Sequence, residues 1–209
     1  MGGDFYDFIQ LRPDDDGNER WGIVIADVAD KGVPAALFMA LSRTLLRSVA
    51  INRISPAATL ERVNQLILSD ARSNLFVTIF YAVWTPRTGQ LVYANGGHNP
   101  PLLIRARGES SSLTRTGAAL GVFEEAQYTE NEITLRASDS ILLYTDGLTD
   151  AINTQSEDFG LNRVTNIALK VRTQPAAHIQ SAIVAAVAAH VGGSEAFDDI
   201  TMVVIKRDA

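Results

Sequence analysis

The stretch from Trp21 to Met39 constrains this chain more than any other. Its apolar residues run without alternation from Ile23 to Ala26, the pattern of a strand buried on both faces. That strand delivers Asp27 into a turn holding Asp30, Lys31 and Gly32, where glycine lets the backbone reverse and Pro34 suits the first turn of a helix. A carboxylate at the mouth of a buried strand is costly unless a cation sits on it. Taken alone, Asp27 reads as a turn or N-cap aspartate; the segment before it changes that reading.

Residues 4–11 and 20–27 read as two strands joined by the acidic, turn-rich loop Pro13-Asp-Asp-Asp-Gly-Asn-Glu19. A simple hairpin centred near Asp15 and Asp16 sets Asp4 opposite Asp27, Tyr6 opposite Ile25 and Phe8 opposite Ile23; a slip of two residues is the alternative register. Facing residues on adjacent strands lie ~5 Å apart, and like charges there repel. Two facing carboxylates therefore invite a divalent cation.

Downstream, residues 34–51 read as a helix with Leu37, Leu41, Leu45 and Val49 along one face and Arg43 and Arg47 away from it. Ser55-Pro56 opens a second helix, to residue 71, with Leu60, Val63 and Ile67 at helical spacing. Strands follow at 75–85 and 90–95, joined by Pro86-Arg-Thr-Gly89. Asn95-Gly-Gly-His-Asn-Pro-Pro101 breaks the chain before a strand at 102–106. Residues 107–112 read as an exposed loop and 117–121 as a tight apolar bend.

A strand at 140–145 delivers Asp146-Gly147, repeating the pattern of a buried strand that ends in an acid. Helices are expected at 160–171 and 175–191, the second with Ile179, Ile183, Val187 and Val191 at four-residue steps. Asp198-Asp199 opens a last strand, 200–205. Hairpin-linked strands interrupted by helix pairs predict an α+β fold, two mainly antiparallel sheets with helices outside them. With no repeat and no dividing linker, residues 1–209 read as one domain. Its start directly on a motif-like strand suggests a missing N-terminal edge element.

Composition narrows the function. Lys and Arg number 18 against 24 Asp and Glu, a net charge of −6, without the basic stripe that a nucleic-acid surface needs. The sequence shows no apolar run near the ~20 residues of a membrane span and no signal-peptide pattern. Zero cysteines removes disulfides and thiolate metal sites and fits a cytoplasmic protein. Asp4, Asp27, Asp146 and Asp198 stand at the ends of expected strands. Because Asp146 follows a strand and Asp198 precedes one, antiparallel pairing brings both out at one edge. Carboxylates without Cys or His suit Mg²⁺ or Mn²⁺. Two such ions ~4 Å apart activate water and stabilise phosphoryl oxygens in phosphate-ester hydrolysis.

Five segments now occur in order: Gly2-Gly-Asp-Phe-Tyr-Asp7, Asp27-Val-Ala-Asp-Lys-Gly-Val-Pro-Ala-Ala36, Tyr93-Ala-Asn-Gly-Gly-His-Asn-Pro-Pro101, Tyr144-Thr-Asp-Gly-Leu-Thr-Asp150 and Asp198-Asp-Ile-Thr201. Together they resemble the bacterial SpoIIE-like branch of the PPM (type 2C) metal-dependent serine/threonine protein phosphatases. The resemblance implies an αββα sandwich with a two-metal site holding Mn²⁺ or Mg²⁺. It implies Asp27 bridging both ions, the Val28 carbonyl as a ligand, Asp146 and Asp198 completing the first ion, and Asp4 helping to hold the second. It also implies a phosphorylated STAS-domain anti-sigma-factor antagonist as substrate, sigma-factor regulation as the output, and an upstream sensor domain in the full-length protein. A homodimer is compatible with it, since helices 34–51 and 56–71 resemble a switch coupled to dimerisation or a sensor.

Asp30 departs from the motif, where Gly is commoner. His98 reads as a structural loop residue rather than a general acid, His178 and His190 have no evident partner, and Lys31 reads as a surface lysine. No arginine takes an obvious phosphate-binding position. The rival functions are a catalytically weak phosphatase-like regulatory or binding module, and a two-metal phosphodiesterase or nuclease, which the acidic surface disfavours.

Overall fold

In the computed structural model, alternation decides the first strand: Phe5, Asp7, Ile9 and Leu11 are buried, while Tyr6, Phe8 and Gln10 are exposed. The structure describes residues 2–52, 55–70, 75–192 and 199–208. In chain order the elements are β1 (Phe5–Leu11), β2 (Arg20–Val28), α1 (Val33–Ala50), α2 (Pro56–Asp70), β3 (Val77–Thr85), β4 (Gln90–Gly96), β5 (Leu102–Ile104), β6 (Ser110–Ser112), β7 (Asn131–Thr134), β8 (Ser140–Tyr144), α3 (Asp146–Thr149), α4 (Leu161–Lys170), α5 (Ala176–Val191) and β9 (Met202–Lys206). They form two antiparallel sheets, and contacts divide the chain into two units.

The first unit comprises residues 1–100 and 114–134. Its sheet runs β1-β2-β3-β4-β7. Tyr6 pairs with Ile25 and Phe8 with Ile23, the register of the simple hairpin and not of the slipped one. Val24, Ala26 and Val28 of β2 belong to the core that takes in Leu60, Val63 and Ile67 of α2, as their spacing predicts. Asn64 secures the 121–123 turn, accepting from the Gly121 N–H and donating to the Phe123 carbonyl, both at 2.8 Å.

Helix α1 corrects the expected stripe. Its buried row is Ala35, Phe38, Ser42, Leu46 and Ala50, whereas Leu37 is 68% exposed and Leu45 and Val49 are only partly buried. Ala35, Ser42 and Ala50 are small and let the helix approach the sheet closely. Asp7 of β1 sets the rotation by accepting from Arg43 Nε at 3.2 Å and Arg47 Nη1 at 2.7 Å. By length and composition alone α1 would also suit a bilayer, which the reading of the sequence did not anticipate; here that buried row and those ion pairs dock it on the sheet.

The second unit comprises residues 101–113 and 135–209, with the sheet order β6-β5-β8-β9. Ile179, Ile183 and Val187 of α5 and Val164 and Ala168 of α4 share a core with Leu102, Ile104, Leu142 and Tyr144, as the four-residue spacing predicts. Two edge strands were not expected. The segment read as an exposed loop contains β6, three exposed serines paired to β5, and β7 is a polar strand paired to β4. Backbone bonding alone defines both, so neither carries an apolar signal.

Candidate functional site

In the first unit the β1–β2 ladder ends at Phe5↔Ala26, and its register extended by one residue would set Asp4 against Asp27. Asp27 in turn pairs with Thr78 of β3. Directly paired residues share a face of the sheet. Asp27 and Thr78, with Asp4 by continuation, therefore stand on the face opposite Val24, Ala26 and Val28. Both aspartates are half-buried. The ladder reaches past Val28, with the Ala29 N–H donating to the Phe76 carbonyl at 3.0 Å. Gly3 runs directly against the expected carbonyl ligand, and a Cβ there would lie 2.8 Å from the Val28 oxygen. Only glycine permits that approach.

Asp30 has φ of 81°, a left-handed conformation, and its Oδ1 accepts from the Lys31 N–H at 2.8 Å. This accounts for the departure from the motif: the turn needs a positive φ, and aspartate is among the few side chains that tolerate it. Asp30 and Lys31 are both exposed.

In the second unit β8 lies between β5 and β9 and ends at Tyr144, with Thr145 leading into α3. The Thr145 N–H donates to the Thr201 carbonyl, and the Thr201 N–H donates to Thr145 Oγ1, both at 3.0 Å. Asp146 follows, half-buried, in the first turn of the one-turn helix α3, which the sequence presented only as an Asp-Gly turn. Strands β8 and β9 are antiparallel, so the chain enters β9 at the end where Asp146 leaves β8, as the sequence argument requires. Asp199 is exposed, and Asp198 lies outside the described residues.

Among the described residues, no three His, Cys, Asp or Glu side chains form a group that would hold an ion by themselves. The donors expected in each unit are nevertheless chemically uniform, carboxylates and one peptide carbonyl. That all-oxygen set fits a hard divalent cation.

Asp7 ends the first motif, yet the sequence suggested no role for it. Burial pushes its carboxyl pKa up, and hydrogen bonds and charge from Arg47 and Arg43 outweigh that, leaving it below the ordinary carboxylate value. The arginine pair at i and i+4 was the available signal. It went unread because the partner lies 36 and 40 residues away. His98 is buried, its N–H donating to Asn95 Oδ1 at 2.8 Å and its carbonyl accepting from Arg115 Nε at 3.2 Å, as a loop residue should. His190 has a partner after all: Nε2 lies 2.9 Å from the Glu157 carbonyl.

The family model for Stage II sporulation protein E (SpoIIE) matches residues 17–208. Protein IcfG of Synechocystis sp. is 30% identical over 235 residues, covering 100% of this chain and 36% of IcfG. Phosphoserine phosphatase RsbU of Bacillus subtilis is 30% identical over 151 residues, covering 72% of this chain and 43% of RsbU. The chain thus spans less than half the length of these relatives. The SiaA-PP2C domain of Pseudomonas aeruginosa superposes with a TM-score of 0.85 at 26% identity, covering 99% of this chain and 81% of that one. With acids at the ends of paired strands, the PP2C fold and a family match over nearly its whole length, this chain belongs to the SpoIIE family, the bacterial SpoIIE-like branch of the PPM phosphatases.

Proposed function

We propose that this chain is a metal-dependent protein serine/threonine phosphatase that hydrolyses phosphoserine or phosphothreonine monoesters. The family match over residues 17–208 carries this reading, and Asp27 near the end of β2 and Asp146 just after β8, in a chain without Cys, support it. Asp4, Asp27, the Val28 carbonyl, Asp146 and Asp198 would hold two Mn²⁺ or Mg²⁺ ions. Bound there, such ions supply Lewis acidity toward the phosphoryl oxygens and a water activated near neutral pH. The protein's own part is to present fixed donors. Asp27 is offered by its place in β2, and the same register carried one residue beyond β1 would put Asp4 on that face. Asp146 is offered by a helix turn held at Thr145.

The proposed substrate is a phosphorylated STAS-domain anti-sigma-factor antagonist in a cytoplasmic pathway regulating a sigma factor. The name of the relative RsbU, a phosphoserine phosphatase, favours the same residue chemistry. An upstream sensor, acting through α1, α2 or a homodimer, would set activity. The isolated domain is then weakly active and binds one ion loosely. The test is a panel of phosphorylated STAS-domain proteins assayed with manganese. Release of phosphate from at least one member is expected; inertness toward all of them, with aryl phosphate still hydrolysed, would overturn the substrate class.

A further inference from the structure

The short polar chain behind Asp27 is not accounted for by the proposed ligand set. Thr78 pairs with Asp27 across β2 and β3, and its Oγ1 lies 3.4 Å from the Asp27 carbonyl oxygen and 3.0 Å from His98 Nδ1. His98 is 1% exposed and Asn95 0%. The ring is brought there by construction. Asn95 closes the β4 end by accepting the His98 N–H, and Gly97, at φ of 78°, turns the chain. A Cβ on Gly97 would meet the Ala119 backbone nitrogen at 3.0 Å. Arg115 then holds the His98 carbonyl from the other side.

The Thr78 hydroxyl has one proton. When it donates to the Asp27 carbonyl, His98 carries its own proton on Nδ1 and donates to Oγ1; in the other arrangement the hydroxyl donates to Nδ1. Either way, the imidazole fixes the hydroxyl, and the hydroxyl sits against the peptide unit linking Asp27 to Val28. Those are the two residues whose carboxylate and carbonyl the proposed site uses.

We infer that Thr78 and His98 are positioning residues, a buried clamp that sets the Asp27–Val28 peptide for ion binding. The inference rests on the metal-dependent reading above. Groups that orient ligands without touching the ion typically change affinity by about ten- to a hundredfold when removed. Thr78→Val deletes the hydroxyl and keeps the branch; Thr78→Ser keeps the hydroxyl.

The experiment measures Mn²⁺ binding by calorimetry in wild type and both variants. It also measures hydrogen exchange at the Ala29 amide in metal-free protein, with the Thr145 amide as a control in the other unit. Thr78→Val should bind manganese about tenfold more weakly or worse and exchange Ala29 faster with Thr145 unchanged, while Thr78→Ser stays near wild type in both. His98→Phe, which keeps the ring, should follow Thr78→Val. Wild-type affinity in Thr78→Val, or equal weakening in Thr78→Ser, overturns the clamp. If wild type itself binds no manganese, the phosphatase reading falls. The Ala29 arm still decides the clamp, because unchanged exchange in Thr78→Val overturns it.

Discussion

Among the described residues each unit buries one structural aspartate, and they are held in different ways. In the first, Asp7 ties a strand to a helix through Arg43 and Arg47, whose side chains remain 49% and 47% exposed. In the second, Asp139 is almost wholly enclosed. It accepts from Arg105 at 2.7 Å and from the Ala106 and Arg136 N–H groups at 2.8 and 2.9 Å. Burial raises the Asp139 carboxyl pKa, and hydrogen bonds from Ala106, Arg105 and Arg136 outweigh it, so it too lies below the ordinary value. Asp139 closes a local frame of loops, whereas Asp7 fastens α1 by contacts that water and salt reach. α1 starts five residues after Val28, so the helix held by the weaker fastening is the one next to the proposed ligands. Helix α5 in the second unit presents Ile179, Ile183 and Val187 to its core, with Ala186 and Val191 packed beside them.

The largest effects should come from the proposed ligands, one taken from each unit. Asp27→Asn and Asp146→Asn should each lower phosphatase turnover by about 10²–10⁴-fold, the scale of several kcal/mol of lost transition-state stabilisation. Thermal unfolding without metal should stay the same or improve, since anionic crowding is relieved. The adjacent acids Asp198 and Asp199 extend this contrast. The family resemblance assigns Asp198 and not Asp199 to the ions, so Asp198→Asn should be inactive and Asp199→Asn tolerated. Activity in the first and loss in the second would reverse the assignment.

Next come the two structural aspartates. Asp139→Ala should cost about 3 kcal/mol of unfolding free energy, because it removes the carboxylate beside a largely buried arginine and the acceptor of two N–H groups. Asp7→Ala should cost only about 1–2 kcal/mol, its arginines being half in solvent. Both folded pKa values are depressed. Each contribution is therefore present above the unfolded value of ~4 and is lost as pH falls through the lower folded value. Salt at about 1 M should loosen the Asp7 contact more than the Asp139 one. Chemical denaturation across pH and salt checks this. Equal losses for the two variants, with equal salt dependence, would erase the distinction between the units.

The smallest effect lies in the turn between Val28 and α1. Asp30→Gly relieves a positive φ and loosens the unfolded chain, so a net gain of about 0.5–1 kcal/mol is expected with turnover unchanged. A loss of metal affinity in that variant would give the Asp30 carboxylate a role in binding.

The hairpin was legible in part: alternation along β1 fixes the face that buries Phe5, Ile9 and Leu11, but a slip of two residues keeps that face, so the register itself is settled only by the pairing of Phe5 with Ala26. The strand ends at Asp27 and Asp146 were legible for a related reason: an apolar run that stops at an acid marks both the strand and its mouth. The rotation of α1 was not. The helix offers two apolar rows, and the choice rests on Asp7, far away in the chain. Strands β6 and β7 were invisible because exposed Ser, Asn and Glu residues are paired only through the backbone. Asp30 stood out as a departure, but its cause is a dihedral angle that no composition reveals.

The proposed all-oxygen donor set is expected to work through divalent ions. The direct measurement is hydrolysis of an aryl phosphate by the purified chain, stripped with chelator and then titrated with Mn²⁺ or Mg²⁺. Turnover should vanish on stripping and return with either ion, steeply at first and then with a second, weaker phase. Full turnover in the stripped, metal-free sample would contradict the account.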